Sequence, residues 1–367
     1  MKKKSLWAII ALAGLTISSC TNDEVIPNTS VDNAIEFGTY VGRDAQTRAH
    51  SIETAATLAT DGGFGVYAYY TDNTNFDPAS SIPNFMKNQN VTSTNNGATW
   101  TYSPVKYWPN EVNDKLSFFA YAPYDVNSIV TETGNPVLSF SVPTDVTSHK
   151  DLMVADATNL KNLTKQSTTG NVQFNFKHVL SRVGFKVEAV IDEVNNQNNG
   201  AVDADSQTEP IAASTTISVQ EVELIGGFHT SADINMNTLA WSNYTGRTPN
   251  YALSSASGDF TSVASNVTIA PQQLNKDSEY MMIIPHATMA VKIRVKYTVT
   301  TTDTSLPDKK SEVVNDITSE EFAFTFDQGK AYNFVLHLGL TSVKLSANVA
   351  DWETATTDHV VNVPLNL

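Results

Sequence analysis

Cysteine is almost absent from this chain, whose 367 residues contain only Cys20. One cysteine cannot close a disulfide within the chain, and it cannot supply the several thiolates of a structural zinc site. Stability must therefore come from an ordinary buried core, and a hydrophobic content of 41% provides the material for one. A chain of this length is expected to divide its core between two domains.

Basic residues are also scarce, with 23 Lys and Arg against 38 Asp and Glu and a formal net charge of −15. Such an acidic surface is repelled by nucleic-acid phosphates and by anionic lipid headgroups. After residue 20 no stretch is long and apolar enough to span a bilayer. We therefore expect no nucleic acid among the partners, and any attachment to a membrane has to come from a bound lipid.

The common signatures of catalysis are missing too. The chain has no nucleophile-elbow pentapeptide, P-loop or dinucleotide glycine pattern, and its seven histidines show no close metal-ligand spacing. Asp203, Asp205 and Glu209 could hold Ca²⁺, but their segment lacks the glycine and the distal glutamate of an EF-hand, which favours a solvated loop. We expect no enzyme, no cofactor and no metal site. The sequence has no set of catalytic residues that would support a secreted hydrolase.

The N-terminus carries an export signal. Three lysines at positions 2–4 precede the largely apolar run Leu6–Ile17, and two serines lead to Cys20. The order resembles a bacterial lipoprotein box, in which the signal is cut before the cysteine and the cysteine receives acyl chains such as palmitate. Each buried methylene contributes about 0.8 kcal/mol, so more than one chain holds a protein stably on a membrane. The alternative is an ordinary signal followed by a chance cysteine.

Period-2 alternation dominates the rest of the chain and predicts β-strands. Residues 290–299 alternate most cleanly, and 172–176 and 183–187 follow the same pattern. A phase slip at Gln220–Glu221 predicts a β-bulge. Phe322–Phe326 and Tyr332–Leu338 flank a turn at Asp327–Lys330 with Gly329 in the left-handed position, which predicts a hairpin. Many short strands between turn-forming clusters indicate β-sandwiches.

Several phrases, in this order, together resemble the fimbrillins, the type V pilins of Bacteroidota. They are Phe64–Tyr69, Tyr107–Pro109, Leu116–Pro123, Phe176–Val183, Gly329–Phe334 and Ala350–Trp352. The resemblance implies an all-β fold of two transthyretin-like β-sandwich domains in tandem after a lipoprotein signal peptide. With the polar run 165–170 as boundary, the expected divisions are a signal peptide (1–19), a lipidated propeptide with a removable strand (20–48), an N-terminal domain (49–170) and a C-terminal domain (171–367).

The resemblance also implies a route of assembly that the N-terminal residues can be compared with. In fimbrillins an Arg-specific protease removes the lipidated segment together with one strand, and a strand of a neighbouring subunit fills the gap. A removable strand is predicted here from the alternation of Ile35, Phe37, Thr39 and Val41. Two of the five arginines, Arg43 and Arg48, lie in the polar segment that follows. Arg48 is the preferred cut site and Arg43 the second; the alternative is a solvated loop with incidental arginines.

The C-terminus offers a candidate donor strand. Val361, Val363, Leu365 and Leu367 alternate with polar residues and Pro364. Proline lacks a backbone N–H and suits an edge strand. The segment could complement the next subunit, or it could close the edge of its own second domain.

The sequence thus predicts a structural fimbrial subunit that travels as an outer-membrane lipoprotein precursor and ends in a cell-surface fimbrium. Its expected partners are other fimbrial subunits, with adhesion to a host or bacterial surface receptor as a role of the polymer. The alternative is an anchored surface lipoprotein that binds glycans through an aromatic platform formed by Trp100, Tyr102, Tyr107 and Trp108. Because these aromatics overlap the fimbrillin phrases, packing in the core of the first domain is the stronger interpretation.

Overall fold

The computed structural model describes residues 33–41, 54–125, 130–131, 133–168, 170–189, 215–254, 262–264, 272–276, 279–302, 308, 310–339, 343–351 and 359–361. In these ranges the chain is mostly β-strand, with the short helices α1 (Ala55–Thr60) and α2 (Lys165–Thr168). The predicted all-β fold is therefore confirmed. We call residues 33–178 the N-terminal part and residues 179–361 the C-terminal part.

The N-terminal part begins with an edge strand of a six-stranded sheet. The strands of the N-terminal part are β1 (Glu36–Val41), β2 (Phe64–Tyr70), β3 (Met86–Val91), β4 (Leu116–Ala122), β5 (Val130–Thr131), β6 (Val137–Ser141), β7 (Met153–Ala155) and β8 (Asn171–His178). The sheet has the order β1-β8-β7-β4-β2-β3, and β1 pairs with β8 in parallel. The polar run 165–170 precedes β8, so the chain leaves this sheet only after His178.

The C-terminal part contributes two further sheets. Its strands are β9 (Ser181–Ala189), β10 (Thr215–Phe228), β11 (Ser231–Asn235), β12 (Trp241–Thr245), β13 (Thr248–Ser254), β14 (Ser262–Ala264), β15 (Gln272–Gln273), β16 (Met281–Ile283), β17 (Met289–Thr302), β18 (Lys310–Thr318), β19 (Phe322–Phe324), β20 (Lys330–Leu338), β21 (Val343–Asp351) and β22 (His359–Val361). One sheet has the order β13-β10-β17-β18, with β14 on β10 and β19 on β17. The other has the order β15-β9-β20-β21-β22, with β16 on β9.

A fourth sheet joins the two parts. The hairpin β11–β12 of the C-terminal part pairs with β6 of the N-terminal part, in the order β12-β11-β6-β5. The pairing is antiparallel over five residue pairs, from Ser231↔Ser141 to Asn235↔Val137. Lys161 Nζ and Asn237 Oδ1, 2.8 Å apart, add a side-chain bond across the same seam. Backbone hydrogen bonds therefore connect the two parts directly.

Alternation sets which face of each strand is buried. Along β17, Val291, Ile293, Val295 and Tyr297 are at most 2% exposed, as the pattern predicts. The register of β10 against β17 shifts between Val219 and Glu221, which confirms the predicted bulge. In β2 and β4 both faces are buried, and their sequences are almost entirely apolar, with Gly65 and Ser117 as the exceptions.

The predicted hairpin of Phe322–Phe326 and Tyr332–Leu338 is wrong. β19 pairs with β17, through Met289↔Phe324 and Val291↔Phe322, whereas β20 pairs with β9 and β21. The turn itself is present, since Lys330 N–H donates to Asp327 O and Gly329 has a φ of +69°. The phenylalanines still face the core, because alternation fixes the buried face of a strand but not its partner.

The contacts of His149 lead us to expect that the stability of the protein depends on pH. Its Nδ1 accepts from Met282 N–H of β16 at 2.9 Å, and its Nε2 lies 2.8 Å from Pro143 O, which requires the neutral ring. Burial lowers the pKa of His149 to about 4, whereas an unfolded histidine titrates near pH 6.5. The stabilisation is therefore complete above pH 6.5 and is lost as the pH falls toward 4.

We expect the free energy of unfolding to fall by about 2 kcal/mol more between pH 7 and pH 5 in the parent protein than in His149→Gln. Urea denaturation of both proteins at the two pH values measures this difference. The other histidines are the same in both proteins, so any contribution they make cancels in the difference. Equal pH slopes in the two proteins would show that the ring is not held neutral.

Candidate strand-exchange site

The candidate site is the place of β1 at the edge of the first sheet. Each residue from Glu36 to Val41 pairs with β8, in the register Glu36↔Asn171 to Val41↔Phe176. Glu36 and Tyr40 point outward and are exposed, whereas Ile35 and Phe37 are 1% and 5% exposed. The strand predicted from Ile35, Phe37, Thr39 and Val41 is therefore present and has one buried face.

Phe37 fills an aromatic pocket of the first sheet. Its ring stacks on Phe174 of β8, with centroids 5.3 Å apart, and tilts against Tyr102 at 5.1 Å. Phe64 and Phe118 present their rings edge-on at 6.4 and 6.1 Å. Burial of a side chain of this size contributes about 1.5–3 kcal/mol, so β1 is an integral part of this core.

The segment that follows β3 adds contacts to β1 and to Ile35 just before it. Trp100 Nε1 donates to Thr39 Oγ1 at 3.0 Å, and Tyr102 Oη donates to Ile35 O at 2.8 Å. The backbone joins in, because Ile35 N–H donates to Lys106 O at 2.9 Å. Burial raises the pKa of the Tyr102 phenol further above neutral pH, where the hydroxyl is a donor.

These contacts decide between the two interpretations of the aromatic cluster. Trp100 and Trp108 are 8% and 2% exposed, and Tyr102 is half-buried against the same core. Tyr107 alone is exposed, at 52%. The cluster lines the site of β1, and it does not form a flat aromatic platform on the surface. Sequence reasoning found the aromatics and the strand, but it did not connect them.

The other predicted site residues are placed only in part. Cys20, Arg43 and Arg48 lie outside the described residues, as do Asp203, Asp205 and Glu209. β1 ends at Val41 and the chain is described again from Thr54, so both arginines fall between β1 and α1 in sequence. A cut at either arginine would leave β1 on the N-terminal fragment.

At the C-terminus, β22 pairs antiparallel with β21 at the edge of its sheet, with Val361 opposite Ala347. Val361 thus belongs to the closing edge of the C-terminal part. Val363, Leu365 and Leu367 lie outside the described residues.

The cap of α1 is formed by residues that follow Arg48 in the chain. Thr54 caps the helix by accepting from Thr57 N–H at 3.1 Å, and the Thr57 hydroxyl accepts from Thr54 N–H at 2.6 Å. Both residues follow Arg48 in the chain, so a cut there would leave this capping box intact.

Comparison with known protein families gives a match over most of the chain. The model of the family described as fimbrillin-like matches residues 47–352. The chain belongs to the fimbrillin-like family. The resemblance inferred from the sequence is thereby confirmed, and the family is one of structural fimbrial subunits of the cell surface, not a family of enzymes.

Two relatives of this fimbrillin-like chain agree with the assignment. Fimbrium subunit Fim1C of Phocaeicola vulgatus is 27% identical over 411 aligned positions, which cover 99% of this chain and 100% of that protein. A crystal structure of a fimbrial protein from Bacteroides vulgatus matches with a TM-score of 0.64 and 22% identity, over 87% of this chain and 99% of that one. The second likeness shows a shared fold.

The described part of the fimbrillin-like chain has neither a metal-binding cluster nor a membrane-spanning helix. Its histidines, aspartates and glutamates nowhere gather in a group of three or more that could hold a metal ion. Among the helices described, none has the length and apolar content needed to cross a membrane.

Phe37→Ala measures how strongly β1 is held. We expect the variant to lower the free energy of unfolding of the full chain by about 3–5 kcal/mol, because it empties the pocket between Phe174 and Tyr102. Urea denaturation measures the loss, and hydrogen exchange of the β8 amides reports whether β1 detaches first. The matched control is Tyr40→Ala on the outward face, which should change stability by about 0.5 kcal/mol or less. Equal effects of the two substitutions would contradict the packing of β1.

Proposed function

We propose that this chain is a fimbrial subunit that polymerises by strand exchange. In the precursor β1 fills its own site. Arg-specific cleavage after Arg48, or after Arg43, then frees the fragment that carries β1. The C-terminal segment of another subunit takes its place, through Val363, Leu365 and Leu367, because Val361 is held in β22. The observation that carries the proposal is the position of β1, an edge strand with a buried face that only the segment with both arginines connects to the rest of the chain.

The energetics of the empty site favour its refilling. Without β1 the pocket around Phe174 is exposed, and Trp100 Nε1 and Tyr102 Oη lose the acceptors on Thr39 and Ile35. Exchange of each of these hydrogen bonds for water costs about 0.5–1.5 kcal/mol, and the lost apolar burial costs about 1.5–3 kcal/mol for each large side chain. A strand with alternating apolar residues restores the apolar burial and offers backbone groups to β8, which is the logic of β-strand addition.

The proposal includes transport as a lipoprotein. Cys20 receives the lipid and holds the precursor at the outer membrane until the cut releases it. Other fimbrial subunits are the partners in the polymer, and a receptor on a host or bacterial surface is the target of adhesion. Glycan binding through Trp100, Tyr102 and Trp108 is not retained, because their packing around β1 leaves no platform.

Mass spectrometry of the mature N-terminus tests this route. Subunits isolated from fimbriae should begin at Ala49 or Asp44, and a retained acylated Cys20 would contradict processing. Cys20→Ala should abolish acylation and prevent fimbriae from forming. Normal surface polymer from that variant would count against the lipoprotein stage.

A further inference from the structure

Alternate residues along β1 and just before it direct their backbone N–H groups to opposite sides, one toward β8 and the other toward the segment that contains Lys106. Glu36 N–H donates to Gly170 O at 3.3 Å, on the side of β8, whereas Ile35 N–H donates to Lys106 O on the opposite side. Successive N–H groups of a strand point in opposite directions, so Gly38 and Tyr40 share the side of Glu36. In β1 the residues with outward side chains therefore donate toward β8, and the residues with buried side chains donate away from it.

This arrangement is tied to the direction of the strand. For L-residues, the face of the side chain and the direction of the chain together fix the side to which the N–H points. If a strand is turned end for end while its apolar side chains stay in the core, the N–H groups of its outward residues turn from β8 to the open edge. The direction of an incoming strand thus decides which of its residues bond to β8.

Because of Pro364, the C-terminal segment can form more backbone hydrogen bonds to β8 in one strand direction than in the other. The segment 362–367 is six residues long, like β1, and follows directly after β22. With Val363, Leu365 and Leu367 inward, Pro364 is an outward residue. If the segment runs in the same direction as β1, the nitrogen of Pro364 faces β8 and has no hydrogen to donate. If the segment runs in the opposite direction, this nitrogen faces the open edge, where proline is tolerated.

We propose that segment 362–367 of a second copy fills the β1 site antiparallel to β8, in the direction opposite to β1. The inference rests on the proposed strand exchange and specifies its geometry. Outward residues pair with outward residues, so Asn366 lies opposite Asn171 and Pro364 opposite Gln173. In the direction of β1, Asn366 would instead lie opposite Asn175, about 13 Å along the strand.

Cysteine pairs distinguish the two directions. The parent chain has one cysteine, Cys20, which precedes both arginines, so a processed subunit carries only cysteines that are introduced. Asn171 and Asn175 are both exposed, so their substitution leaves the core unchanged. Fimbriae built from Asn171→Cys/Asn366→Cys should oxidise to a covalent ladder on non-reducing gels. The matched control, Asn175→Cys/Asn366→Cys, should remain monomeric on the same gels.

A proline scan gives the same information without cysteine. Asn366→Pro should assemble within about twofold of Asn366→Ala, because the N–H of an outward residue is not needed in the antiparallel arrangement. Leu365→Pro should assemble roughly tenfold less than Leu365→Ala, because it removes a bond to β8. Fluorescence of labelled fimbriae, normalised to the amount of subunit in the cells, measures assembly.

The outcomes separate this inference from the function on which it rests. A ladder from the Asn175 pair, or assembly blocked by Asn366→Pro alone, overturns the direction and leaves strand exchange standing. Fimbriae that form normally while neither pair cross-links and no proline has an effect would show that segment 362–367 does not fill the site. If the parent chain forms no fimbriae and is not cut, the proposed function fails as well.

Discussion

Fimbriae should be missing from cells whose chain carries glutamine in place of both Arg43 and Arg48. In that variant β1 stays covalently attached, and a short tether gives a strand an effective concentration on the order of millimolar at its own site. A donor strand from another subunit has to compete with it at a far lower concentration. The precursor should accumulate as a folded, acylated monomer, which gel filtration and mass spectrometry of the N-terminus detect.

Single replacements identify the arginine that matters. If Arg48 is the site of the cut, Arg43→Gln should form fimbriae normally and Arg48→Gln should form few. Arg247→Gln is the matched control, because Arg247 lies in an exposed turn away from β1, where it contacts Gly227 and His229. Normal fimbriae from the double variant would mean that β1 leaves by another route, or that it does not leave.

Deletion of residues 362–367 should give subunits that fold but cannot extend a fimbria. β22 ends at Val361 and stays in place, so the thermal midpoint should shift by about 2 °C or less. Such a subunit still has a β1 site and can accept a strand, but it has none to donate. Expressed together with the parent chain, it should therefore shorten fimbriae at substoichiometric amounts, as seen by electron microscopy.

A double variant with Asn362→Ser and Asn366→Ser serves as the control for this deletion, because it keeps the apolar alternation and should polymerise. Two results would contradict the donor role. If the deleted chain unfolds, the segment belongs to its own C-terminal part. If it polymerises to normal length, another strand fills the site.

Local alternation and turn chemistry were sufficient to predict much of this molecule. β1, β8, β9 and β17 have the buried faces that their sequences indicate, and the bulge in β10 was visible as a slip of one residue. Pairing could not be predicted in the same way. β19 lies on β17 because a strand of three residues is placed by distant partners, and its own alternation does not select among them.

At the β1 site, too, the sequence predicts local features but not the contacts between distant residues. The sequence marks β1 as amphipathic and marks Trp100 and Tyr102 as a concentration of aromatics. It cannot show that their polar tips end on Thr39 and Ile35, which are 61 and 67 residues away in the chain. The contact arises only when the first sheet closes, so a local pattern does not contain it.

The seam between β6 and β11 has a mechanical consequence for a filament. In the proposed polymer, tension from flowing liquid would enter a subunit at the β1 site, in one part, and leave through the chain after β22, in the other. If the two parts were joined only at residues 178–181, tension could pull them apart at that connection. With five residue pairs bridging them, each subunit would carry the load as one rigid link.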